Sequence, residues 1–147
     1  MKARTVVLFA MILLGVAANN AWAHCEIPCG IYDDHMRIHM IEEHITTIEK
    51  SMNQITELSG KTPVNYNQLV RWVTNKEHHA DELQHIVTQY FMTQRIKPEQ
   101  KDYEKKLSVL HKMLLAAMKC KQTTDLANVN TLRNLTQEFE GMYFEGQ

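Results

Sequence analysis

His24, Cys25 and Cys29 bring one imidazole and two thiols into a six-residue stretch. If the chain is cut just before His24, a free α-amine joins them. Its ordinary pKa of about 7.7–8.0 lets it bind a metal near neutrality. The amine, the Cys25 amide nitrogen and the Cys25 thiolate then close two fused five-membered chelate rings, and Cys29 adds a second thiolate. This is a planar set of two nitrogens and two sulfurs, with the His24 imidazole left over as an axial donor. Planar coordination with nitrogen donors suits Ni(II) or Cu(II), whereas zinc prefers a tetrahedron. Thiolate and amidate donors bring a Ni(III)/Ni(II) couple into a usable range, and an axial imidazole favours the higher state. Other readings stay open on spacing alone. Cys25 and Cys29 are also spaced for a disulfide in an oxidising compartment. The pair also suits a zinc site completed from the helices, or the segment is a plain leader to the fold.

The cut that this chemistry requires is written into the preceding residues. Lys2 and Arg4 form a positive start, an apolar run follows to Ala18, and Ala21-Trp22-Ala23 presents small residues at the expected cleavage positions. The run is shorter than the ~20 residues of a membrane-spanning helix. Residues 1–23 are therefore expected to be a cleavable signal peptide. The mature protein is expected to be exported, periplasmic or extracellular, with no membrane attachment after cleavage. Removing 23 of 147 residues leaves 124 and moves the net charge from −1 to −3. That balance gives no basic footprint for nucleic acid.

What must position such a site is helical. Ile38, Ile41, Ile45, Ile48, Met52 and Ile55 alternate steps of three and four, the signature of a seam between packed helices. Asp33 and Asp34 are candidate caps for it. A second pattern spans about 65–95 through Tyr66, Leu69, Val73, Ala80, Leu83, Val87 and Tyr90, with Lys76 as its one charged interruption. Pro98 is expected at the first turn of a third helix, whose stripe is Tyr103, Leu107, Leu110, Leu114 and Ala117. Thr124 or Asp125 caps a fourth, with Leu126, Val129, Leu132, Leu135, Phe139 and Met142. Four helices joined by short loops predict an all-α, up-down-up-down four-helix bundle over residues 33–147, carrying an N-terminal hook at 24–32.

The motif His24-Cys25-x-x-Pro28-Cys29-Gly30-x-Tyr32 at a processed N-terminus resembles the nickel hook of nickel-containing superoxide dismutases. Asp33, Arg37-Ile38, Lys76-Glu77 and Tyr90-Phe91 extend the resemblance into the helices. It implies an enzyme that disproportionates superoxide to dioxygen and hydrogen peroxide with one nickel per chain, cycling between Ni(II) and Ni(III). It implies His24, Cys25 and Cys29 as ligands, Pro28 and Gly30 as the residues that shape the hook, and Tyr32 as a non-ligand that orders water and restricts access. It also implies a homohexamer of four-helix bundles. Glu26 replaces the Asp of some members. The carboxylate and arginine that often steady the axial imidazole are replaced by His39 and by His78 or His79. The competing class is a non-enzymatic periplasmic helical protein that senses or buffers metal, which would explain the export and the eight histidines.

The remaining chemistry-bearing residues read more plainly. Cys120 is expected to be a lone thiol at a helix end, and His35 with His39 a solvated pair. His78, Glu82 and His85 include a single Glu-x-x-His step, short of the two a di-iron bundle needs. The mature methionines read as core filler, and Lys101, Lys105 and Lys106 as a solvated face.

Overall fold

The computed structural model describes residues 33–145. The expected signal peptide and hook therefore lie outside the described residues. Those residues form four helices: α1 (Asp34–Ser59), α2 (Tyr66–His85, continued as a π-helical segment over Ile86–Arg95), α3 (Tyr103–Gln122) and α4 (Leu126–Phe144). No strand occurs among them. None of these helices is long and apolar enough to cross a membrane.

Caps fix where the helices start. Asp33 accepts the Met36 amide at 2.8 Å, Asn65 that of Gln68 at 3.2 Å, and Asp125 that of Ala127 at 2.9 Å. Asp34 is not a cap; its carboxylate is used across the bundle. Pro98 lies in the loop before α3 rather than in its first turn, and Asp102 precedes that helix in the left-handed region (φ 57°), which Asp tolerates better than most side chains.

α1 packs against α2 and α4, and α3 packs against the same two. Cross-links give the directions. The start of α1 meets the ends of both the α2 π segment and α4, through Asp34 with Arg95 and Tyr143. The end of α3 meets the interior of α2 through Lys76 and the Cys120 carbonyl. Neighbours are therefore antiparallel, the up-down-up-down arrangement expected.

The core follows the α1 pattern without exception: Ile38, Ile41, Ile45, Ile48, Met52 and Ile55 are all buried. Elsewhere it corrects the expectation. Tyr66 is 71% exposed, and Val73 is exposed as well. Lys76 reaches the last turn of α3, so the residues before it in α2 overhang the point where α3 stops. Lys76 itself is only 4% exposed, with Nζ 2.9 Å from the Cys120 carbonyl, also bonding the Lys121 carbonyl, and 3.2 Å from Glu77. Its ammonium caps the carbonyl end of α3, where a positive charge is favourable.

The α3 seam is rotated from the one expected. Val109, Leu110, Met113, Ala116, Ala117 and Cys120 are buried, while Tyr103, Leu107 and Leu114 line its edge. Lys106 belongs to this seam at 4% exposure, not to a solvated face; its Nζ sits 5.8 Å from the Tyr143 ring centre while its stem covers apolar surface. On α4, Thr136 and Tyr143 join Val129, Leu132 and Phe139 inside. Met52 and Met113 are buried, but Met36 and Met118 are exposed. Cys120 is a free thiol, fully buried, and burial pushes it up to about 11.

Candidate metal centre

Asp33 is the first described residue, so the segment that carries His24, Cys25, Cys29, Pro28, Gly30 and Tyr32 joins the bundle at the N-terminus of α1. All six lie outside the described residues. The end of the bundle at which α1 begins is built from half-buried polar contacts.

Asp34 is the hub. Its Oδ1 accepts from Arg95 Nε at 2.9 Å, from Arg95 Nη2 at 2.7 Å and from the Tyr90 hydroxyl; its Oδ2 accepts from the Tyr143 hydroxyl at 2.7 Å. Arg95 also donates to the Tyr90 oxygen, at 3.0 and 3.2 Å. Burial alone would raise the Asp34 carboxyl, but the bonds from Tyr143, Tyr90 and Arg95 outweigh it and hold it below the usual carboxylate range. Burial and the Asp34 contact push both tyrosines up, so both stay protonated donors.

The π-helical segment makes this geometry. Its main chain bonds residues five apart, as in the 3.0 Å bond from the Ile96 amide to the Phe91 carbonyl. Arg95 is therefore carried over Tyr90, with its guanidinium carbon 5.1 Å from the ring centre. An unbroken 3.6-residue period would have turned Gln94 that way instead. Arg37 lies 4.6 Å from the centre of the same ring. Phe91, Phe139 and Tyr143 close the base in edge-on contacts of 4.9 and 5.5 Å.

The helix histidines divide into separate environments. His35 stacks flat on Phe144 with ring centres 3.7 Å apart, while His39 Nδ1 lies 3.2 Å from Glu42. They do not form a pair. His78 turns to Glu82 at 4.0 Å. His79 instead meets His44 across the α1–α2 seam, Nδ1 to Nδ1 at 2.8 Å. Burial lowers both rings from their ordinary value; His79 lowers His44 further and His78 lowers His79 further, against weaker opposition from Glu82. His39 and His79 line one open cleft with His44, Glu42 and Glu43, whereas His78 borders a neighbouring cleft with Trp72 and Lys50. Among the described residues, no three or more His, Cys, Asp or Glu side chains converge as a metal cage.

Two of these features carry no mark in a helical pattern read for motifs: the Asp34 hub and His44. One signal was available for the second. His44 and His79 each immediately precede a core position, Ile45 and Ala80, and such flanking positions of packed helices face one another.

A family model described as nickel-containing superoxide dismutase matches residues 19–147, taking in the expected cleavage point, the cysteine motif and the whole bundle. No curated protein and no solved structure matches the chain.

Proposed function

Because the chain belongs to the nickel-containing superoxide dismutase family, and is thereby a nickel-dependent oxidoreductase acting on superoxide, we propose that its reaction takes place at the processed N-terminus. One observation carries this: His24-Cys25 stands at the expected cleavage point inside the matched region. That placement favours an enzyme over a metal-sensing or metal-buffering protein, for which the first residue would not matter.

The donor set fits nickel. The His24 amine, the Cys25 amide nitrogen, the Cys25 and Cys29 thiolates and the His24 imidazole would hold the ion, and such nitrogen and thiolate donors suit nickel. Nickel, when bound, would supply the one-electron Ni(II)/Ni(III) couple that superoxide disproportionation needs. The rest falls to the chain. Pro28 and Gly30 shape the turn that returns Cys29 to the site. Tyr32 would order water beside the site and restrict access, without being a ligand. His39, together with His79 or His78, would take the place of the carboxylate and arginine expected around the His24 imidazole. The shared cleft of His39 and His79 supports His79 for that role over His78. The Asp34 hub supports the same reading by tying the first turn of α1, and so the attachment point of the hook, to the ends of the α2 π segment and α4. The signal sequence supports export, and family resemblance supports a homohexamer.

The test is a chain with one extra residue before His24. The amine becomes an amide, so nickel binding at the hook and dismutase activity are expected to be lost while the helical circular dichroism is kept. Full activity in that variant overturns the proposal. Intact mass of the mature protein should show a start at His24, with one nickel per chain retained after dialysis against a weak chelator.

A further inference from the structure

His44 and His79 approach nitrogen to nitrogen, Nδ1 to Nδ1 at 2.8 Å, with the ring planes tilted by 55°. Two imidazole lone pairs this close repel unless something electropositive lies between them. In the metal-free pair that is one N–H, with one ring donating and the other accepting. A metal ion is too large to lie on that line but fits beside it, where both rings can turn a lone pair toward it. Nitrogen–metal bonds of about 2.0–2.1 Å meeting at a right angle separate the two nitrogens by about 2.9 Å; a tetrahedral angle would separate them by about 3.3 Å. The observed spacing is the ordinary length of the N–H···N bond and, for a chelate, is nearer the right angle than the tetrahedral one.

The surroundings favour a cation. Glu42 and Glu43 of α1 line the same cleft, and Glu82 of α2 acts on both rings. Thr46 and Thr47 add hydroxyls, and the cleft is open to solvent. With no third protein ligand converging among the described residues, the remaining positions belong to water. Binding needs no net proton release from neutral rings. The shared proton leaves Nδ1 and is replaced on Nε2 from solvent.

We propose that His44 Nδ1 and His79 Nδ1 form a second metal site, a two-imidazole chelate for one Ni(II)- or Cu(II)-type ion in tetragonal coordination, separate from the N-terminal donors. Both ligands belong to the bundle, so the site can be measured in a chain whose hook cannot bind metal.

The experiment uses the full mature chain with His24→Ala, Cys25→Ser and Cys29→Ser together, titrated with Cu2+ or Ni2+ alone in a non-coordinating buffer. Calorimetry is expected to show one ion per chain. Electron paramagnetic resonance of the copper form should show hyperfine coupling to two imidazole nitrogens. His44→Gln and His79→Gln added to that background should each weaken binding about tenfold or more, while His39→Gln with His78→Gln should not. Circular dichroism checks that each variant stays folded. Absence of a bound ion in the hook-free chain overturns the proposal, as does an ion that survives both His44→Gln and His79→Gln. His79 is also the residue placed beside the His24 imidazole, so the hook-free chain isolates this site, and the N-terminal centre keeps its own test, activity and nickel retention in the intact hook.

Discussion

The Tyr143 hydroxyl donates to Asp34 Oδ2 at 2.7 Å, joining the last turn of the last helix to the first turn of the first, 109 positions away. Arg95 and Tyr90 take the other oxygen. The carboxylate thus gathers three helices at the end of the bundle where α1 begins. Asp34→Ala leaves two hydroxyls and a guanidinium without their acceptor, and is expected to cost about 2–4 kcal/mol in urea unfolding. A loss near zero would show that the contact organises nothing.

The same residue sets an acid limb. Its carboxyl is held below the usual carboxylate range because the bonds from Tyr143, Tyr90 and Arg95 overcome burial, which acts in the other direction. Its stabilisation is therefore complete above the unfolded value of about 3.9 and lost as pH falls through the lower folded value. Thermal melts of wild type and Asp34→Asn should differ most near neutrality and converge below about pH 3.9.

Histidine gives the opposite test. His44 and His79 are both held below their ordinary value, first by burial and then by neighbouring imidazoles, while Glu82 and, at His44, Glu43 act against the shift. His39, Glu42 and His78 are the other titratable groups around the pair. The folded chain resists protonation that the unfolded chain accepts, so stability should fall as pH drops below about 6.5. His79→Gln should flatten that slope in melts taken between about pH 5 and 7; an unchanged slope would exclude the pair as its source.

Lys76 is a buried cation serving as a helix cap. Lys76→Met keeps most of the apolar stem but leaves the Cys120 and Lys121 carbonyls without their donor. Urea unfolding should show a loss of about 1–3 kcal/mol, against less than about 0.5 kcal/mol for the exposed Lys101→Met.

The three thiols should behave differently. Cys120, buried and raised to about 11, is expected to resist alkylation in the folded protein and to react on unfolding. Nickel-free mature protein kept in air is expected to lose the mass of two hydrogen atoms as Cys25 and Cys29 pair. Mass spectrometry that finds three free thiols after such exposure would exclude that pairing.

Sequence and structure divide the molecule unevenly. The α1 seam was legible because isoleucines in alternating steps of three and four leave only one face to bury. The caps Asp33 and Asp125 were legible because their carboxylates satisfy local amides. The proposed nickel donors are a reading of the sequence alone, since a chelate made from one terminal amine and its neighbours is a property of consecutive residues. What the sequence could not assign depends on where helices stop and how their registers meet. The early α2 residues overhang because α3 ends level with Lys76. Lys76 and Lys106 are buried because a charged head can reach carbonyls or an aromatic face while its stem lies in the core.

The sequence by itself determined the helical class and the family, and it carries the proposed N-terminal chemistry, all of which rest on local spacing. Only the tertiary structure decided that Asp34 serves as a hub rather than a cap, that a π-helical segment brings Arg95 over Tyr90, and that His79 meets His44. Those relationships depend on distance across helices. A linear pattern gives the face a residue occupies but not the residue opposite it.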